Sequence, residues 1–185
     1  MKTVLITGGI ASGKTVVCRY LQSKGFPVYD SDSRTKALYS SVEGLREKAE
    51  NAIGTTLDKA EIIFSDTVRR EALENTVYPY VLEDFIKWRN EQTSDVVIFE
   101  SAVALEKSMF RDLFDLTVMV VAPLEQRIRR NAKTVQRVSA QSAGNTVTYI
   151  VLENYSSFAD VYSQIANIMN STEIVAALIN QKANL

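Results

Sequence analysis

Eight residues near the N-terminus, Gly8-Gly9-Ile10-Ala11-Ser12-Gly13-Lys14-Thr15, satisfy the pattern G-x-x-x-x-G-K-[ST] in full. The run before them, Thr3-Val4-Leu5-Ile6-Thr7, is apolar and β-branched and reads as a buried strand. After them Val16, Val17, Tyr20 and Leu21 recur at helical spacing, and Gly25 closes that helix. A chance match in an ordinary glycine turn is the competing reading. The strand before and the helix after set it aside, because that context confirms the motif. Glycines let backbone N–H groups turn inward around a phosphate, and the new helix adds its positive end. Lys14 is placed to reach β- and γ-phosphates, and the Thr15 hydroxyl to hold Mg2+.

The rest of the chain alternates strands with helices. Pro27-Val28-Tyr29 is a second strand, ending in Asp30-Ser31-Asp32. Residues 34–92 are helical in pattern, punctuated by Gly44, Gly54 and Pro79. Val96-Val97-Ile98-Phe99 is a third strand ending at Glu100, and Leu116 to Val121 a fourth, apolar enough to be covered on both faces. Pro123 suits the first turn of a helix running to about Lys133. A basic stretch continues to Gln141, Gly144-Asn145 forms a turn, and Thr148 to Leu152 makes a fifth strand. Helices at Phe158–Met169 and Glu173–Ile179 close the chain. This order predicts a three-layer α/β/α fold of the P-loop nucleoside triphosphate hydrolase type around a five-stranded parallel sheet. The stretch between the second and third strands is too long for a simple crossover. It reads as an inserted helical subdomain over the strand ends, where ligands bind in such sheets.

Composition removes whole classes of chemistry. The 185 residues contain no histidine, which excludes Ser-His-Asp and Cys-His catalysis and every histidine metal site. A single cysteine allows neither an internal disulfide nor a cysteine zinc site. Acid–base work falls to Asp, Glu, Lys or Tyr. With 21 basic and 22 acidic side chains the net charge is −1, which argues against a nucleic-acid partner. No apolar run approaches the ~20 residues of a membrane span, so no membrane partner and a cytoplasmic location are expected.

Acidic residues stand at two strand ends. Asp30 and Asp32 bracket Ser31 after the second strand. A carboxylate there orients or deprotonates an attacking hydroxyl; equally, Asp30, Ser31 and Ser33 all suit a helix N-cap. Glu100 ends the third strand, where an acidic residue steadies Mg2+ through water, and a surface carboxylate is the other reading. Arg127, Arg129, Arg130, Lys133 and Arg137 fall in eleven residues with no acid among them. Such a run neutralises a transferring phosphoryl group or simply forms a solvated helical face.

Taken together these residues resemble the dephospho-coenzyme A kinase family, from Thr7 to about Asn154. Thr7 to Thr15 is similar to that family's L-T-G-G-I-G-S-G-K-S, and Val28-Tyr29-Asp30-Ser31-Asp32 to its V-I-D-A-D. Pro123, Gln126 and Arg129 keep P-x-x-Q-x-x-R. Arg137-Val138-Ser139-Ala140-Gln141 resembles R-I-A-A-Q, and Val151-Leu152-Glu153-Asn154 resembles V-I-D-N. The resemblance implies ATP-dependent phosphorylation of the ribose 3′-hydroxyl of dephospho-CoA, with Mg2+. It implies one kinase domain with its core at about 1–33, 94–130 and 146–185, an acceptor-binding insertion at about 34–93 and a lid at about 130–145. It makes Asp32 the base or hydroxyl-orienting residue, and Lys14 and Arg137 phosphate ligands. Gly9, Ile10, Ala11, Ser12, Gly13, Lys14, Thr15 and Asn154 then bind the nucleotide, and Thr15 and Glu100 serve the metal. The sequence departs from the family at several points. Tyr78 stands for the histidine of H-P, Glu100-Ser101-Ala102 replaces D-V-P, the stretch from Lys133 to Gln141 is short, and Tyr155 replaces a glycine. A related kinase for another nucleotide-like acceptor, and a nucleotide-binding module with little turnover, are the other readings. At helical spacing Arg130, Lys133 and Arg137 share one face, with Arg127 to its side. The expectation is one lid helix with Lys133 and Arg137 nearest the phosphates and Arg129 supporting its base.

Overall fold

A computed structural model of the chain describes residues 1–131, 150–154 and 158–169. They form two compact units, one built from Met1–Tyr29 with the described residues from Gln92 onward, the other from Asp30–Glu91.

The first unit holds most of a five-stranded sheet in the order β2-β3-β1-β4-β5. Its strands are β1 (Lys2–Thr7), β2 (Val28–Asp30), β3 (Val96–Glu100), β4 (Leu116–Val121) and β5 (Ile150–Glu153). β1 pairs in parallel with β3 and β4, and β4 with β5. Side chains alternate across a strand, which sorts the core into two sets. Val4, Ile6, Val96, Ile98, Val118, Val120 and Leu152 pack beneath Val17, Cys18 and Leu21 of α1 (Lys14–Ser23). Val161 and Ile165 of the helix Phe158–Met169 complete that cluster. Tyr20 and Tyr162 stack at 4.3 Å where the two helices meet. Phe99, of opposite parity, packs against Tyr29, Phe110 and Phe114. Phe110 belongs to one of two short 3-10 turns between β3 and β4, Ala104–Glu106 and Ser108–Leu113.

The second unit is helical: α2 (Ser31–Ser41), α3 (Leu45–Ile53), α4 (Ala60–Ser65) and α5 (Thr67–Asn90). Leu45, Ala49 and Ile53 of α3 and Val77, Val81 and Phe85 of α5 are buried. Arg34 grips Asp84 with two parallel bonds, 2.8 and 2.5 Å, and so ties α2 to α5.

Two helices differ from the sequence pattern. Pro79 does not interrupt the helix: α5 runs through it for 24 residues. Pro79 is exposed, and the buried Val77 and Val81 on either side hold the helix across the missing N–H. The helix after β4, α6, spans only Leu124–Arg130 and ends where Asn131 turns extended, rather than at Lys133. None of its residues is buried, so no apolar face extends it. Residues 132–149, which include most of the expected lid, and the expected helix at 173–179 lie outside the described residues.

Candidate active site

The phosphate-loop motif begins where β1 ends and closes at the start of α1. Gly8 has φ 138, and a Cβ there would run into the Val120 carbonyl oxygen of β4. Gly13, the N-cap of α1, has φ 106, and a Cβ there would strike the Asn154 amide. Both positions therefore require glycine twice over, by conformation and by space. Ala11 is also left-handed, with φ 58. An L-residue pays roughly 1 kcal/mol for that region, and Ala11 stands where the family pattern has glycine.

The loop's carbonyls are held one after another by cationic and amide side chains. Lys14 Nζ donates to the Gly8 and Gly9 carbonyls at 2.9 and 3.2 Å. Arg127 Nε donates to the Ile10 carbonyl at 2.8 Å. Arg130 Nη1 lies 3.2 Å from the Ala11 carbonyl and 3.4 Å from that of Ser12. Asn154 Nδ2 donates to the Ser12 carbonyl at 2.7 Å, and is itself positioned by its backbone N–H on Val121 of β4. Burial lowers the proton affinity of the Arg127 guanidinium below its ordinary value, but an arginine remains a cation under physiological conditions. The Ser12 hydroxyl is buried without a hydrogen-bond partner among the described residues. Such an atom, inside a loop lined by cations, fits an anionic oxygen.

Glu100 reaches the same site through strand parity. It lies opposite Ile6 in the β1–β3 register and on the α1-covered face with Val96 and Ile98. Thr15, in the first turn of α1, donates its hydroxyl to Glu100 Oε1 at 2.8 Å. Glu100 is 8% exposed. One hydroxyl and one carboxylate, both hard oxygen donors, suit Mg2+.

The other carboxylates divide. Asp30 is the N-cap of α2: it accepts from the backbone N–H groups of Asp32 and Ser33 at 3.1 Å and from the Ser33 hydroxyl at 2.6 Å. Asp32 lies in the first helical turn with its side chain exposed. Of the basic stretch, Arg127 and Arg130 contact the loop and Arg129 is exposed. Lys133 and Arg137 lie outside the described residues, and α6 ends before either of them. Sequence reasoning did not single out Arg127 for the loop. The bond crosses 117 positions, and only the adjacency of β4 to β1 brings α6 beside the motif.

The sequence profile of the dephospho-CoA kinase family matches residues 2–173. The chain belongs to that family. A dephospho-CoA kinase of Porphyromonas gingivalis is 40% identical over 139 residues, covering 70% of this chain and 68% of that protein. One from Bacteroides fragilis is 35% identical over 135 residues, 68% of this chain and 65% of its own. The matches thus span about two-thirds of the length of these curated relatives. A crystal structure of a Thermus thermophilus protein superposes with a TM-score of 0.73 at 29% identity, over 91% of this chain and 96% of that one. The parallel five-stranded sheet with its phosphate loop is the P-loop kinase fold of the dephospho-CoA kinase family.

Proposed function

We propose that this chain transfers the γ-phosphoryl group of ATP to the ribose 3′-hydroxyl of dephospho-CoA, yielding CoA and ADP. Family membership supports the activity, and the cation-lined loop at the start of α1 supports its placement. In this reading the loop from Gly9 to Thr15 receives the β- and γ-phosphates. Lys14 leaves the Gly8 and Gly9 carbonyls for the phosphate oxygens, where its charge offsets the negative charge that the transition state spreads over the departing group. Thr15 would hold Mg2+ and Glu100 would steady it; the ion when bound would supply neutralisation of phosphate charge. Asp32 orients the acceptor hydroxyl and takes its proton as the new P–O bond forms and the bond to the ADP oxygen breaks. Asn154 acts on the nucleotide by bracing the Ser12 carbonyl. Arg137 serves as a phosphate ligand from the lid at about 130–145, and the helices of Asp30–Glu91 bind the acceptor. A soluble metabolite as acceptor accords with a cytoplasmic location, and among the described residues no helix is long and apolar enough to cross a membrane.

Coupled ADP release, with and without dephospho-CoA, tests this reading. Release that needs dephospho-CoA supports it. Release only with another nucleotide acceptor, or ATP binding with no release, contradicts it.

The metal roles carry their own expected result. Glu100→Gln removes the charge and keeps the size, so the Mg2+ concentration for half-maximal activity rises by about tenfold, the scale of a lost outer-shell partner. The check is an Mg2+ titration at saturating ATP. An unchanged midpoint would leave Glu100 as a structural partner of Thr15 only.

A further inference from the structure

The phosphate loop contains one glycine whose identity its own backbone does not explain. Gly8 and Gly13 occupy the left-handed region, but Gly9 does not. The three atoms that a Cβ at Gly9 would approach most closely all belong to Arg127: Nη2, Cζ and Nη1. The guanidinium thus lies against the Gly9 backbone while its Nε holds the next carbonyl, that of Ile10. Arg130, three residues on and one helical turn along α6, holds the carbonyls of Ala11 and Ser12. Ala11, the described residue that takes a left-handed conformation without being glycine, sits directly between those held carbonyls.

We propose that Arg127, supported by Arg130, is a positioning residue for the phosphate loop, and that Gly9 is glycine to admit its guanidinium. Across each planar trans peptide unit the carbonyl of one residue and the N–H of the next point in opposite directions. Fixing the Ile10, Ala11 and Ser12 carbonyls from the α6 side therefore holds this stretch in the conformation that cradles an anion. Preorganised dipoles need no rearrangement when charge arrives. α6 on this account belongs to the floor of the phosphate site rather than to the lid. The proposal rests on the reading of the loop as a polyphosphate site.

The two residues make a double-mutant cycle with an unusual sign. Gly9→Ala in the wild type pushes the guanidinium off and frees the Ile10 carbonyl. Arg127→Met removes the same bond but keeps an apolar stem. Each change alone is expected to weaken binding of inorganic triphosphate and of ATP by the same factor, about tenfold, the scale of one charge-assisted hydrogen bond. In the Arg127→Met background, Gly9→Ala is expected to cost less than about twofold, because the methyl then meets no guanidinium. Calorimetric titration of triphosphate and of ATP into the four proteins reads this out, with thermal unfolding of each confirming an intact fold. Multiplying losses would overturn the proposal, since the added methyl would then obstruct the phosphates themselves. A loss for ATP without a loss for triphosphate would overturn it too, by assigning Arg127 to the nucleoside. Undiminished binding in Arg127→Met would overturn it outright. Wild-type protein that binds neither compound would refute the polyphosphate reading as well, whereas wild-type binding with multiplying losses refutes this proposal alone.

Discussion

Lys14→Ala is expected to lower turnover by ~10²-fold or more, the usual cost of removing a donor aimed at transition-state charge. The ammonium now bridges the Gly8 and Gly9 carbonyls. It therefore already stands inside the loop, one short movement from a phosphate held there. Its loss removes both a cation and the two bonds that shape the loop's entrance. Bonds from a charged donor are worth about 1.5–3 kcal/mol each in stability, so some loss of stability accompanies the kinetic effect. Steady-state ADP release by the variant, beside a thermal unfolding curve, separates the two. A Lys14→Ala protein with normal turnover would remove the loop from the mechanism.

Asp32→Asn is expected to lower kcat by ~10²- to 10⁴-fold while the KM for ATP changes little, the pattern of a lost general base with nucleotide binding intact. The neighbouring Asp30 supplies the contrast. Its carboxylate is already committed to two backbone N–H groups and the Ser33 hydroxyl at the head of α2. Asparagine caps a helix about as well as aspartate, so Asp30→Asn should leave both kcat and stability near wild type. Asp30→Ala, which cannot cap, should cost about 1 kcal/mol of stability. If Asp30→Asn proves the more damaging change in a folded protein, the two carboxylates hold the opposite roles.

That pair also shows where a sequence stops being informative. Read along the chain, Asp30 fits a cap and both aspartates fit a base, because the two patterns share residue types and lie two positions apart. Only the hydrogen bonds of α2 show which one is the cap. The strands were open to reading for the opposite reason. Val4-Leu5-Ile6, Val96 to Phe99 and Thr117-Val118 are buried on both sheet faces, so composition alone marks them. The loop motif was plain because its chemistry and its backbone demands coincide at Gly8 and Gly13. Helix ends were harder. Pro79 is a local stop signal overridden by burial of Val77 and Val81 in α5, and α6 lacks any local signal for its early end at Arg130. Arg127 was hidden most completely. Its partner lies 117 residues away, and a basic run along a helix ordinarily marks nothing more than a solvated face.

The central claim is that the loop and Asp32 serve transfer to one acceptor rather than nucleotide binding or hydrolysis alone. Its most direct measurement is product analysis of the wild-type protein incubated with ATP, Mg2+ and dephospho-CoA, with ADP and CoA quantified in the same samples. The account predicts that ADP and CoA appear in equal amounts, and that the new phosphate in the product is a monoester at the ribose 3′ position. ADP formed without CoA, or a phosphate found at any other position, would contradict it.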